Sequence, residues 1–235
     1  MAYDFDRIID RQHTDSAKWR RYGEGVLPLW VADMDFTAPK PVIDALQKRV
    51  AHGIFGYGMA PDELREVIRE QLARRYGWHV ETEAICFLPG VVTGFNMACH
   101  AIGAPGDEVL VEPPIYPPML TAPENADRVC KTVQLIEERQ RYVRDMDAFE
   151  QAISDRTSLF LLCNPHNPVG RVFHIEELER VAEVCLRHDV LICSDEIHGD
   201  LVFQGHAHTP IASLSPEVAA RTITLSQSRP DARTR

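Results

Sequence analysis

Four short segments carry the chemical groups best suited to holding a ligand. Asn164-Pro-His-Asn-Pro-Val-Gly170 and Ser194-Asp-Glu-Ile-His198 each follow an apolar run, and they offer amides and a carboxylate. Leu88-Pro-Gly-Val-Val-Thr-Gly94 opens a helical pattern, whose free backbone N–H groups could hold a phosphate. Pro113-Pro-Ile-Tyr-Pro-Pro118 adds an aromatic ring. Together these groups suit a flat, phosphorylated, protonated heteroaromatic ring.

Each segment also has a purely structural explanation. Residues 90–94 match neither G-x-G-x-x-G nor the P-loop, so alone they predict a plain strand-to-helix turn. Tyr116 could close a loop, and Asp195 could cap a turn. Asn164 and Asn167 stand beside prolines, as ordinary turn residues do. Their order and their shared position after apolar runs favour the ligand site.

The elements that must position these segments follow an alternating pattern. From about Pro41 onwards, helical and strand patterns alternate, which predicts an α/β fold with a mainly parallel sheet and helices on both faces. Helices are predicted to begin near Pro41 and Pro61, and a crossover helix is predicted from Ile175 to His188. Because carboxyl ends of parallel strands share one edge, the four segments should meet in one cleft. The predicted buried strands are Ala84–Leu88, Glu108–Val111, Ser158–Cys163, Val190–Cys193 and Thr222–Leu225.

Composition narrows the class of protein. With 235 residues and 45% hydrophobic content, the chain can form one good-sized core, or one domain and part of a second. The formal charge of -10, without a basic patch, argues against nucleic acid as a partner. No apolar run is long enough for a membrane span, and no signal peptide is visible, so a cytoplasmic location is expected. The six scattered cysteines predict neither a disulfide framework nor a metal site.

On these motifs the chain resembles fold-type I pyridoxal-phosphate enzymes of the class I/II aminotransferase superfamily. The resemblance runs from about residue 3 to residue 225 and is strongest to the cystathionine β-lyase branch of carbon-sulfur lyases. The segments that carry it are Leu29-Trp-Val-Ala-Asp-Met-Asp-Phe36, Phe55-Gly-Tyr-Gly58, Asn164 to Gly170, and Ser194-Asp-Glu-Ile-His-Gly-Asp-Leu201.

The resemblance implies a cofactor, a reaction and an assembly. The cofactor would be pyridoxal 5'-phosphate, and the full-length protein would be a homodimer acting on a small amino-acid substrate. It would convert cystathionine or an L-cysteine conjugate into a thiol, pyruvate and ammonia. An aminotransferase on the same scaffold stays open, because both activities would use the same cofactor contacts.

The resemblance also assigns residues around the cofactor's ring. Asp195 would pair with the pyridine nitrogen and keep it protonated. Asn167 would hydrogen-bond the ring hydroxyl, with His198 on the same side. Tyr116 would stack on the ring face.

Further residues are implied for the phosphate and the substrate. The backbone amides of Val91, Val92 and Thr93 would bind the phosphate. Tyr57 would reach the phosphate held by the neighbouring subunit of the dimer. Asp33 would line the substrate side of the pocket.

The chain departs from the family after its last predicted strand. There the family carries the lysine that holds the cofactor as a Schiff base, whereas this chain reads Ser226-Gln-Ser-Arg-Pro230. Its four lysines all lie earlier in the sequence, at Lys18, Lys40, Lys48 and Lys131. The expectation is therefore a chain with no catalytic lysine, which is inactive by itself. A non-catalytic truncated product or a regulatory remnant is the alternative of another class.

The same comparison predicts how the chain is organised. Residues 1–45 would be an N-terminal arm and the start of a small domain. Residues 46–225 would form the large pyridoxal-phosphate-binding domain, which would be incomplete. Residues 226–235 would be a polar tail foreign to the family, and the small C-terminal domain would be missing.

Overall fold

The computed structural model describes residues 4–227, and the chain forms two compact units that divide between Met59 and Ala60. The first unit contains two helices, α1 (Ala17–Arg20) and α2 (Lys40–His52). Pro41 lies in the first turn of α2, as the sequence predicts, since its fixed φ suits that position. The predicted domain boundary after residue 45 lies inside this helix.

A network of charges organises the first unit. The carboxylate of Asp35 accepts hydrogen bonds from Lys18 (2.7 Å), Trp19 (2.8 Å) and Arg11 (2.7 Å). These donors, with Lys18 contributing most, lower the pKa of Asp35 to about 2. Arg11 also pairs with Asp33 at 2.7 Å. The segment around Asp33 and Asp35 is thus fixed to the residues that precede it.

The second unit contains the remaining helices and all strands of the described chain. Its helices are α3 (Asp62–Tyr76), α4 (Val91–Ala101), α5 (Pro117–Asn125), α6 (Met146–Ala152), α7 (Ile175–Arg187) and α8 (Pro216–Ala220). Its strands are β1 (Glu108–Val111), β2 (Val129–Thr132), β3 (Ile136–Glu138), β4 (Arg141–Val143), β5 (Thr157–Cys163), β6 (Leu191–Asp195) and β7 (Thr222–Leu225). The predicted crossover helix is confirmed as α7.

Five of these strands form a parallel sheet in the order β2-β1-β5-β6-β7, and β3 and β4 form a separate antiparallel hairpin. The α/β fold with a mainly parallel sheet is therefore confirmed. Four of the five predicted strands are present, as β1, β5, β6 and β7. The edge strand β2 was not predicted, because its sequence Val-Cys-Lys-Thr lacks an apolar run.

The strand predicted at Ala84–Leu88 is wrong. Thr82–Ala84 form a 3₁₀ turn, and the backbone up to α4 joins no ladder within the described residues. Instead, the amide of Ile85 bonds to Thr82, and the Arg65 side chain donates to the carbonyl of Ile85. A short apolar run becomes a strand only where a neighbouring strand satisfies its backbone, and here side chains and a turn do so.

The sheet is buried on both faces, which explains its apolar strands. Leu110, Phe160 and Ile192 pack into a core with side chains of α6, α7 and α8. Their neighbours in sequence, such as Val109 and Leu161, face the opposite way and pack with α4 and α5. Since successive strand residues alternate between faces, one run of apolar residues supplies two cores. Within residues 4–227, no helix is long and apolar enough to cross a membrane.

A buried glutamate–arginine ion pair lies in the second unit, next to the carboxyl end of β1. The side chains of Glu112 and Arg144 are 1% and 2% exposed, and two hydrogen bonds of 2.5 and 2.6 Å join them. The guanidinium also lies 4.5 Å from the centre of the Phe173 ring. A charge at such depth is tolerated because its partner is fixed beside it.

Removing one partner of this pair should destabilise the protein more than removing both. Arg144→Met would leave the Glu112 carboxylate buried and unpaired, which costs about 3–5 kcal/mol. Adding Glu112→Leu removes that charge, so the double variant should recover much of the loss. Urea unfolding of the two variants and the wild type measures the difference. A double variant no more stable than Arg144→Met would contradict this account of the pair.

Candidate active site

The carboxyl ends of three neighbouring strands lie level with one another. Asp195 is the last residue of β6, and it stands opposite Cys163 of β5 and Leu225 of β7. Backbone bonds continue just past the ladder, from Asn164 N to Asp195 O (3.0 Å) and from Glu196 N to Leu225 O (2.8 Å). The polar segments that follow β5 and β6 therefore leave the sheet side by side.

Asp195 is a buried carboxylate at the centre of this edge. It accepts a hydrogen bond from the amide of Ile197 at 3.1 Å. Burial raises the pKa of Asp195 to about 6; the bond from Ile197 opposes this shift, and the nearby charge of Glu196 adds to it. A cation bound beside the carboxylate would stabilise its charged form. The site is thus suited to a positively charged ligand atom.

The N-terminus of α4 offers backbone donors that have no partner among residues 4–227. The helix follows Gly90, and no side chain caps it. The first backbone bond of the helix is that of Gly94 N to Gly90 O (3.1 Å), so the amides of Val91, Val92 and Thr93 precede the helical ladder. The first turn carries no acidic residue that would repel an anion.

A close contact brings α4 against the end of the sheet. The helix packs on β6 and β7, and a Cβ atom on Gly94 would lie 2.8 Å from a methyl carbon of Leu225. A side chain at residue 94 would therefore force the methyl groups of Leu225 to move. The free amides of α4 consequently lie near the carboxyl end of β7.

Two further predicted residues lie on connected segments at the same edge. Tyr116 directly precedes α5 and is 37% exposed, so part of its ring is accessible. Asn167 follows β5, and its backbone N–H donates to Cys163 Sγ at 3.5 Å. The ring of His166 joins the two segments through a 2.9 Å hydrogen bond from Nε2 to the carbonyl of Pro114.

The remaining predicted residues have different surroundings. His198 is half-buried in the turn after β6, where its carbonyl accepts a bond from Leu201 N (2.8 Å). Tyr57 and Asp33 belong to the first unit. Tyr57 is fully exposed, and Asp33 pairs with Arg11. The roles assigned to these three residues stay predictions.

Sequence reasoning missed a buried pair beside Asp195. Glu196 accepts hydrogen bonds from Ser194 Oγ (2.9 Å) and from Ile211 N (3.2 Å), and its other oxygen lies 2.9 Å from His208 Nε2. These bonds hold residues 208–211 against the end of β6. The adjacency of Glu196 to Asp195 was a visible signal, but nothing in the sequence marked His208 as its partner.

The described lysines with known contacts are engaged away from this edge. Lys131 Nζ bonds to Glu108 (2.9 Å), the first residue of β1 and hence at the amino end of the sheet. Lys18 and Lys40 pair with carboxylates of the first unit. The segment predicted to replace the family's lysine turn is described only at residues 226 and 227, and residues 228–230 lie outside the described part. In residues 4–227, no group of three or more His, Cys, Asp or Glu side chains could hold a metal ion.

Known proteins resemble this chain over almost its whole length. The sequence model of the family "Aminotransferase class I and II" matches residues 24–229. Cystathionine beta-lyase PatB of Bacillus subtilis (strain 168) is 44% identical over 226 residues, which cover 94% of this chain and 58% of that protein.

Solved structures agree with this assignment. The crystal structure of OvoB is 48% identical, with a TM-score of 0.90, and the match covers 95% of this chain and 60% of that one. The PLP-bound C-S lyase from Staphylococcus hominis is 31% identical, with a TM-score of 0.88, and the match covers 96% and 59%. The chain thus spans about three fifths of the length of these relatives. Since the family model matches both the edge of the sheet and the helix beside it, the chain belongs to the aminotransferase class I and II family.

Proposed function

We propose that this chain is the cofactor-binding part of a pyridoxal-phosphate-dependent carbon-sulfur β-lyase. The substrate would be cystathionine or another L-cysteine conjugate, and the products would be a thiol, pyruvate and ammonia. The observation that carries the proposal is the buried Asp195 at the end of β6, a strand on which the uncapped helix α4 packs, in a chain 44% identical to a cystathionine β-lyase. The relatives' names support the lyase over an aminotransferase.

The chemistry of Asp195 fits pyridoxal phosphate. Its pKa of about 6 reflects a carboxylate that lacks the solvation its charge requires. A protonated ring nitrogen would supply the missing cation, and Asp195 would keep that nitrogen protonated. When bound, the cofactor supplies an electron sink for the pair left by the substrate's α-proton. Asp195 thus makes that sink effective.

The helix α4 fits the phosphate. The amides of Val91, Val92 and Thr93 would donate to the phosphate oxygens, and the positive end of the helix dipole would favour its charge. Because α4 packs on β7 through Gly94, the distance from these amides to Asp195 is set by the sheet. A rigid spacing of this kind orients the ring.

Side chains from the neighbouring segments would complete the ring site. Tyr116 would stack on the ring, a contact worth about 0.5–1.5 kcal/mol beyond its buried area. Asn167 would hydrogen-bond the ring hydroxyl, with His198 on the same side. The accessible ring of Tyr116 and the partly buried Asn167 support these roles.

The first unit would contribute to the site of a homodimer. The full exposure of Tyr57 suits a side chain that reaches the phosphate in a neighbouring subunit. Asp33 would line the substrate side, held in place by Arg11. We further propose that the protein acts in the cytoplasm.

This chain has no lysine at the position where the family carries the one that binds the cofactor. The lysines at residues 18, 40, 48 and 131 all precede the strand-end segments, and the chain carries none from residue 226 onwards. Arginine at residue 229 cannot replace a lysine, because a guanidinium stays protonated and is a poor nucleophile. This chain would therefore bind the cofactor without a covalent link and without the base that moves the α-proton.

Replacing Asp195 should separate stability from binding. Its folded pKa of about 6 exceeds the ordinary 3.8, so folding favours the protonated form, and the ionised form costs free energy as pH rises through 6. Asp195→Asn should therefore stabilise the unliganded chain by on the order of 2 kcal/mol at pH 8 and little at pH 4. The same variant should lose most affinity for pyridoxal phosphate.

Urea unfolding at both pH values and an absorbance titration with pyridoxal phosphate measure these effects. Asp155→Asn is the matched control, because Asp155 is exposed and the substitution removes the same charge. It should change neither quantity. An Asp195→Asn variant that binds the cofactor as well as the wild type would refute the role of Asp195.

The reaction class is testable in a chimera. Residues 1–225 of this chain would continue into the part of the Bacillus subtilis relative that follows the matched region. The chimera should release pyruvate and ammonia from cystathionine without a keto acid, and Asp195→Ala within it should abolish the release. Turnover that requires a keto-acid acceptor and yields no thiol would favour an aminotransferase instead.

The chain itself should form no specific covalent adduct. Borohydride reduces any link between a lysine and pyridoxal phosphate to a stable amine, which peptide mapping then locates. We expect no single labelled lysine and a pyruvate release close to that of free cofactor, since proton transfer alone contributes ~10²- to 10⁴-fold. The chimera, treated alike, is the positive control. Specific labelling of one lysine in this chain would contradict the claim that it has no lysine able to form the Schiff base.

A further inference from the structure

His166 occupies a buried position between two segments of the candidate site. Its side chain is almost fully enclosed, and Nε2 lies 2.9 Å from the carbonyl oxygen of Pro114. A carbonyl oxygen only accepts hydrogen bonds, so Nε2 must carry the proton and donate it. Pro114 stands two residues before Tyr116, and His166 stands one residue before Asn167.

The surroundings disfavour a positive charge on the imidazole. Burial lowers the pKa of His166, and the hydrogen bond to Pro114 opposes the shift. The charged groups that act on the ring are Glu112 and Arg144, which neutralise each other in their own ion pair. Phe173 closes one side, with its ring perpendicular to the imidazole at 5.8 Å. Nε2 can donate to Pro114 whether the ring is neutral or protonated, because protonation adds its proton at Nδ1.

The bridge lies where the sheet no longer joins the two segments. Pairing between β1 and β5 ends at Val111 and Leu161, and β5 then stays paired only with β6 as far as Cys163. His166 itself is firmly held, because its amide bonds to Arg171 O (2.7 Å) and its carbonyl accepts from Gly170 N (2.9 Å). The backbone of His166 is therefore fixed, and its imidazole donates to the Pro114 carbonyl from a defined position.

We propose that His166 is a positioning residue that sets the spacing between Tyr116 and Asn167 for the cofactor's ring. This inference rests on the proposed pyridoxal-phosphate site. Without the bridge, the segment of Tyr116 loses the hydrogen bond that joins Pro114 to His166 in the segment of Asn167. The stacking ring and the amide then no longer hold their relative places.

The test compares two variants that differ by one methylene. Glutamine can place an N–H near the position of Nε2, whereas asparagine is too short to reach Pro114. In this chain, His166→Gln should bind pyridoxal phosphate nearly as well as the wild type, and His166→Asn should bind about tenfold more weakly. The induced circular dichroism of the bound cofactor should weaken only in His166→Asn, because that signal reports ring orientation.

A second comparison tests whether the difference in cofactor affinity between the two variants depends on Tyr116. In a Tyr116→Ala background, the difference between the glutamine and asparagine variants should shrink, as expected for residues that act as a unit. Val181→Ala, on the buried face of α7, controls for stability, because it should lower the unfolding midpoint without changing cofactor affinity.

The outcomes separate the two proposals. If the wild type does not bind pyridoxal phosphate, the proposed function fails. If the wild type binds it and the glutamine and asparagine variants bind equally, the role of His166 is overturned and the proposed site survives. A difference that persists unchanged without Tyr116 would also overturn the positioning role.

Discussion

The parallel ladder of β5, β6 and β7 is the constraint on which the rest of the candidate site depends. Parallel pairing gives the three strands one direction, so that their carboxyl ends lie at one edge. Asp195 stands in the middle, opposite Cys163 and Leu225. Since the sheet is covered on both faces, a polar residue at this place is withdrawn from water by the fold itself.

That withdrawal links stability to chemistry. The carboxylate of Asp195 is costly to ionise in the unliganded chain, and the same cost becomes affinity when a cation binds beside it. Glu196, the next residue, has instead three partners within the protein, among them His208. Two neighbouring carboxylates thus have different surroundings, because Glu196 is satisfied by side chains and backbone of the protein, whereas Asp195 accepts one backbone bond, from Ile197.

Side chains take over where the backbone ladder ends. The segments after β1 and β5 carry Tyr116 and Asn167, and within residues 4–227 no strand ladder pairs one of these segments with the other. His166 bonds the two segments together, while the Glu112–Arg144 pair and the ring of Phe173 lie around it. Buried hydrogen bonds of this kind hold loops in place, but the loss of either partner leaves the other polar group buried and unsatisfied.

The sequence by itself determined four of the five strands of the parallel sheet, and it placed polar segments after the carboxyl ends of β5 and β6. Apolar runs predicted β1, β5, β6 and β7, because a strand buried on both faces needs consecutive apolar residues. The same rule failed at residues 84–88, where no neighbouring strand among the described residues pairs with the backbone. Only the tertiary structure decided the partners. His166 and Pro114 are 52 residues apart, Glu112 and Arg144 are 32 apart, and Glu196 and His208 are 12 apart. A sequence pattern shows that a polar residue will be buried, but its partner depends on packing between distant segments, which leaves no periodic signal.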